Sequence, residues 1–239
     1  MPAPRHGPPL PYSLVAGVVP CGRAWLVASA KLQGVTIAPE QPRLLRSLVD
    51  VIDERPGFSV VGLFAPVGLL DDQVVGGRTC DREARALVGR RRGAAIRSAP
   101  SRVVLRNGAS TGAHATRDRP MRHYEAVALE VARELAPYRQ RTIFEVHPEV
   151  SFYQLNEDRP LQYRKRSIHG QNERRALLET KISRVERILD ARIPGVRRTH
   201  LLDATACMWT ARRVLGRAMT RIPIDPEWDS EGLRMEIVR

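Results

Sequence analysis

Ser59 to Phe64 is an almost wholly apolar run, short enough for a strand and too uniform to leave either face in water. It follows Pro42 to Glu54, where Leu44, Leu45, Leu48, Val49 and Ile52 recur at helical spacing before a stop at Pro56-Gly57. Ahead of these, Leu14 to Val19 and Ala24 to Ala30 are apolar runs split by Pro20-Cys21-Gly22, which predicts a β-hairpin, with a third strand near Val35. A hairpin, a crossover helix and a buried strand point to an α/β fold. Further helices are expected at Asp81 to Arg92, Met121 to Leu135, Val150 to Leu155, Asn172 to Asp190 with an interruption, and Leu201 to Gly216. A last strand is expected at Leu233 to Val238. At 239 residues one large domain over 13–239 accommodates all of this. The Pro-rich residues 1–12 are expected to be disordered, and the Gly-, Ser-, Thr- and Arg-rich stretch 101–120 to be a mobile loop.

The formal net charge of +13 suggests polyanionic partners such as nucleic acid. Of the 39 Lys and Arg residues only 3 are Lys, a bias that fits coding composition and a solvated surface as well as selection for binding. The runs Arg90-Arg91-Arg92, Arg164-Lys165-Arg166, Arg174-Arg175, Arg197-Arg198 and Arg212-Arg213 are scattered, and only folding decides whether they share a face. Aromatic residues make up 5%, too few for an extended base-stacking platform. Cys21, Cys80 and Cys207 lack metal-ligand spacing and read as reduced, cytoplasmic thiols. No segment reaches the roughly 20 apolar residues of a membrane helix, so no membrane partner is expected.

Chemistry concentrates in Ile143-Phe144-Glu145-Val146-His147-Pro148-Glu149-Val150. Strand alternation puts Ile143, Glu145 and His147 on one face, about 6 to 7 Å apart in succession. Pro148 suits a first helical turn, so Glu149 falls where the helix dipole favours negative charge. A metal or phosphate site fits this pattern, and so does a helix start that happens to carry charge.

Several further motifs stand in a fixed order: Ala16-Gly17-Val18, Cys21-Gly22-Arg23-Ala24-Trp25, Pro66-Val67-Gly68-Leu69, Arg78-Thr79-Cys80-Asp81 with Ala84-Arg85, Ala99-Pro100, Glu145-Val146-His147-Pro148-Glu149, Lys165 with Gly170 and Arg174, and Leu202-Asp203-Ala204. Together they resemble the bacterial and archaeal family known as domain of unknown function 429, over about residues 14–238. That family is regarded as a predicted nuclease of the RNase H fold. The resemblance implies an RNase H-like mixed β-sheet flanked by helices. It also implies a carboxylate cluster at one end of the sheet, holding magnesium or manganese for phosphodiester hydrolysis, as two-metal chemistry requires.

The chain departs from the family pattern at the metal site. Val19 stands where the family has an aspartate in Gly-Val-Asp-Gly, and Phe64 where it has one in Asp-x-Pro-x-Gly. Thr199 and His200 replace paired acids before the last helix. Glu145 and Asp203 remain as candidate metal ligands, with His147 and Glu149 as candidate catalytic partners. Two carboxylates leave about two positive charges of a two-metal centre uncompensated, so magnesium or manganese is expected to bind weakly or not at all. Arg78, Arg85, Lys165 and Arg174 are candidates for contacting phosphate, although the arginines suit nearby acids equally well; Asp81 and Asp203 equally suit helix caps. The leading expectation is a nuclease-like scaffold with a degenerate site that binds nucleic acid or another partner. The alternatives are an active nuclease with a rearranged site, and a nucleotide- or phospholigand-binding protein.

Overall fold

The structure, a computed structural model, describes residues 11–107, 123–135 and 140–239. Its centre is a six-stranded mixed sheet in the order β3-β2-β1-β5-β6, with β4 also paired to β2. The strands are β1 (Ser13–Cys21), β2 (Ala24–Gln33), β3 (Thr36–Pro39), β4 (Arg43–Leu45), β5 (Val60–Leu63) and β6 (Ile143–Glu145). β1 and β2 form the antiparallel hairpin, whereas β1, β5 and β6 run parallel and end at the same edge. The helices are α1 (Leu48–Ile52), α2 (Thr79–Leu87), α3 (Arg90–Gly93), α4 (His123–Glu134), α5 (Pro148–Leu155), α6 (Ile168–Glu179), α7 (Glu186–Leu189) and α8 (Arg198–Leu215). A second, two-stranded sheet pairs β7 (Arg221–Trp228) with β8 (Arg234–Val238).

Alternation along β1 assigns its two faces. Val15 and Val19 join the core under α8, while Ala16 and Val18 join Leu48 and Val51 of α1 and Val127 and Val131 of α4 on the other side. Gly17 on β1 is paired with Gly62 on β5. A Cβ on Gly17 would lie 1.9 Å from the Ala204 carbonyl oxygen, and one on Gly62 would lie 2.5 Å from that of Cys207. The two glycines therefore form a flat seat that brings the α8 backbone down onto the sheet. α2 packs on the small sheet through Cys80, Ala84 and Val88 against Ile222, Met235 and Ile237.

The α/β class, the hairpin and the buried strand agree with the sequence reading. Several elements differ. The run expected as one helix over 42–54 is β4 followed by the short α1, because Leu44 and Leu45 pair with Leu26 and Trp25 of β2. Ser47 then caps α1 by accepting from the Asp50 amide at 3.2 Å. The third strand expected near Val35 is present as β3, which begins at Thr36, with Val35 itself in the preceding turn. The helix expected over 81–92 breaks at Gly89, whose φ of +79° is left-handed. Within the stretch expected as a mobile loop, 102–107 is helical: Leu105 is buried, and Arg102 pairs with Asp229 at 2.6 Å. The rest of that loop, like the first ten residues of the Pro-rich N-terminus, lies outside the described residues. β7 went unforeseen. No helix among the described residues is long and apolar enough to cross a membrane.

Candidate functional site

The parallel strands β1, β5 and β6 deliver Val19, Phe64 and Glu145 to one edge of the sheet, and α8 lays Asp203 across it. Pro148 opens α5 as anticipated, and His147 is its N-cap, with Nδ1 accepting from the Glu149 amide at 3.2 Å. This acceptor role requires a neutral imidazole. Burial, followed by the Lys165 charge, pushes His147 down to about 3.

Glu145 is buried and fully engaged. Its Oε2 accepts from the Val67 amide at 2.8 Å and from Arg78 Nη1 at 2.8 Å, and its Oε1 accepts from Arg78 Nη2 at 2.5 Å. Arg78, only 1% exposed, also donates to the Gly68 carbonyl and, through Nε and Nη2, to Asp81. All five donors of the guanidinium are thus used. Asp81 accepts in addition from the Arg78 and Ala99 amides at 3.2 and 3.0 Å, so it both caps α2 and closes this network. Burial opposes the charge on Arg78, but Glu145 and Asp81 outweigh it and hold the guanidinium protonated.

The other acids at this edge are also paired. Glu149 accepts from Arg174 at 2.6 Å, and Arg174 is wholly buried over the Phe152 ring. Asp203, 3% exposed, takes Lys165 on Oδ2, while its Oδ1 has no hydrogen-bond partner. Burial raises the Asp203 carboxyl, and Lys165 pulls it back only in part. Asp203 lies past the first turn of α8, so the cap reading does not hold for it.

Val19 is buried in the apolar core together with Leu202, and Phe64 packs against that core. The Phe64 ring meets His147 edge to face, 5.0 Å between centroids. Phe64, Asp81, Glu145 and His147 share a crevice of about 10 Å³, at or below the room one water needs. Among the described residues no three His, Cys, Asp or Glu side chains are grouped to hold a metal ion. The donors present do not fit a two-metal centre: two positions carry hydrocarbon, and the acids that remain are held by the chain's own cations.

Of the four expected phosphate contacts, three are turned inward to protein. Arg78 and Arg174 are buried ion-pair partners, and Arg85 ties the carbonyls of Ile96 and Gly76 together. Arg85 does not pair with Glu83 or Asp81, contrary to the other expectation. Lys165 is partly exposed but committed to Asp203. Among the described residues, exposed cations at this edge without an acid partner include Arg97, which lines the crevice, and Arg23, Arg164, Arg166 and Arg197. Their placement follows from contacts. Arg23 is in the hairpin turn after Cys21, and Cys21 Sγ lies 3.3 Å from His200 Nδ1. The Arg197 amide donates to that same Nδ1 at 3.2 Å, and Arg164 and Arg166 flank Lys165.

The Cys21 and His200 pair was not foreseen, since the residues are 179 positions apart and no spacing rule joins them. Burial lowers His200, with Lys165, Arg197 and His123 adding to the shift; burial raises Cys21. Both are therefore neutral; the Nδ1 lone pair accepts from the Arg197 amide, and the thiol donates to the Gly195 carbonyl at 3.8 Å. All three cysteines are buried and unbridged.

These features define an α/β protein with a mixed sheet flanked by helices, consistent with an RNase H-like arrangement, whose acids at the sheet edge are internally neutralised. Residues 17–228 match the sequence pattern of the family described as Protein of unknown function (DUF429), and the chain belongs to that family. No curated protein and no solved structure matches it.

Proposed function

We propose that this chain binds nucleic acid on a nuclease-type scaffold whose metal site has been replaced by internal ion pairs. The observation that carries the reading is the fate of the acids: Glu145 with Asp81 on Arg78, Glu149 on Arg174 and Asp203 on Lys165. An ammonium or guanidinium already supplies the positive charge that a divalent ion would bring, and removing one partner of a buried pair is strongly unfavourable. Arg23, Arg164, Arg166 and Arg197 border the same edge and are free to meet phosphates.

The test is fluorescence anisotropy with labelled DNA and RNA at 50 and 200 mM salt. With about four phosphate contacts, affinity is expected to fall on the order of a hundredfold between the two. Absence of binding at the lower salt contradicts the reading.

A second reading is favoured by one feature. A cleft of about 950 Å³ beside the crevice is bounded by Val74, Gly77, Arg97, Ser98 and Tyr124, a volume suited to a small ligand. A nucleotide that raises the melting temperature, with loss of that shift in Arg97→Ala, would favour phospholigand binding instead.

A further inference from the structure

The segment 162–170 presents Gln162, Tyr163, Arg164, Arg166, Ile168 and His169 to water on a backbone that is firmly tied down. The Gln162 and Tyr163 amides donate to the two oxygens of Glu173 at 2.7 and 3.0 Å. Ser167 Oγ donates to the Arg164 carbonyl at 2.7 Å and accepts from the Gly170 amide at 3.0 Å, which caps α6. Gly170 packs so closely that a Cβ there would sit 2.0 Å from the Arg164 oxygen. Lys165 is drawn inward to Asp203.

On this fixed backbone the apolar and aromatic groups face outward. Tyr163 is 40% exposed and Ile168 65% exposed. The exposed His169 ring lies 5.3 Å from the Tyr163 ring, tilted by 37°. A lone exposed aromatic needs no explanation. A pre-organised pair of rings with Arg164 and Arg166 between them in the chain, both exposed and without acid partners among the described residues, is chemically complementary to a base between two phosphates. The loop also continues the basic edge, because Lys165 within it is bonded to Asp203 of α8.

We infer that this loop is a stacking post for one unpaired nucleotide, with Tyr163 and His169 taking the base and Arg164 and Arg166 the flanking phosphates. The inference rests on the nucleic-acid reading above and adds to it a preference for single-stranded ends or loops over blunt duplex. One ring pair serves one base, which is compatible with a chain poor in aromatics.

The probes are a labelled single-stranded oligonucleotide, a blunt duplex of the same length, and vesicles containing phosphatidylserine. Tyr163→Ala is expected to weaken single-strand binding roughly tenfold and to leave duplex binding within about twofold, with an unchanged melting temperature. Tyr163→Phe, which keeps the ring face, is expected to bind as the parent does. Paired Arg164→Ala and Arg166→Ala changes are expected to weaken both nucleic acids and to reduce the salt slope by roughly 1.5. Unchanged single-strand affinity in Tyr163→Ala overturns the stacking post while leaving nucleic-acid binding intact. A parent protein that binds neither probe overturns both readings. Loss of vesicle binding alone in Tyr163→Ala reassigns the loop to a lipid surface and likewise overturns the inference.

Discussion

Arg78 shows how a residue type that reads as a phosphate clamp becomes structural. A guanidinium is planar and carries five donors, and here two carboxylates and one carbonyl absorb all of them at 1% exposure. Sequence spacing separates Arg78 from Glu145 by 67 positions, so nothing local revealed the pairing. Asp81 was legible as a helix cap because its partner amide is three residues away. His147 carries a consequence that titration can read. Its folded value of about 3 lies below the ordinary 6.5, so the unfolded chain binds the extra proton between those limits. Stability is then lost as pH falls from 6.5 toward 3, by up to about 1.4 kcal/mol per pH unit. Asn retains the N-cap but does not titrate in this range. Wild type is therefore expected to lose stability relative to His147→Asn below pH 6.5 in urea melts. A pH-independent difference between the two contradicts a buried neutral imidazole.

At the scale of elements, strands with strong alternation or uniform burial were legible, and those that depend on distant partners were not. β1, β2 and β5 announce themselves because their apolar patterns match their final burial. β4 resembled a helix because leucines at 44, 45 and 48 satisfy helical spacing until β2 claims the first two. β7 contains Pro223 and Pro226, residues that argue against a strand in a sheet centre. It forms where its single neighbour is β8, with an irregular register between Ile222 and Glu227. The seat for α8 is the element-scale feature with the sharpest consequence. Gly17→Ala would drive a methyl to 1.9 Å from a helix carbonyl, and a loss of at least about 2 kcal/mol is expected. Gly57→Ala, whose Cβ would meet nothing nearer than 3.8 Å, is expected to be neutral or slightly stabilising. Thermal melts of the two variants compare them directly, and equal effects would contradict the close approach of α8 to the sheet.

For the whole molecule, the net charge of +13 was visible at once, but its distribution was not. Folding divides the basic residues into those that neutralise buried acids, such as Arg78, Lys165 and Arg174, and those left at the rim, such as Arg23, Arg164, Arg166 and Arg197. The expectation that Val19 and Phe64 stand where relatives carry acids came from the family resemblance alone; the cations paired with Glu145, Glu149 and Asp203 became visible only in three dimensions. Together they define one edge that presents positive charge outward while its carboxylates are spent inward, the arrangement on which the proposed nucleic-acid binding rests. The most direct test is calorimetric titration of the purified protein with manganese. No saturable binding below the millimolar range is expected, because Lys165, Arg78 and Arg174 already neutralise the acids. Micromolar manganese binding that disappears in Asp203→Asn would contradict the account.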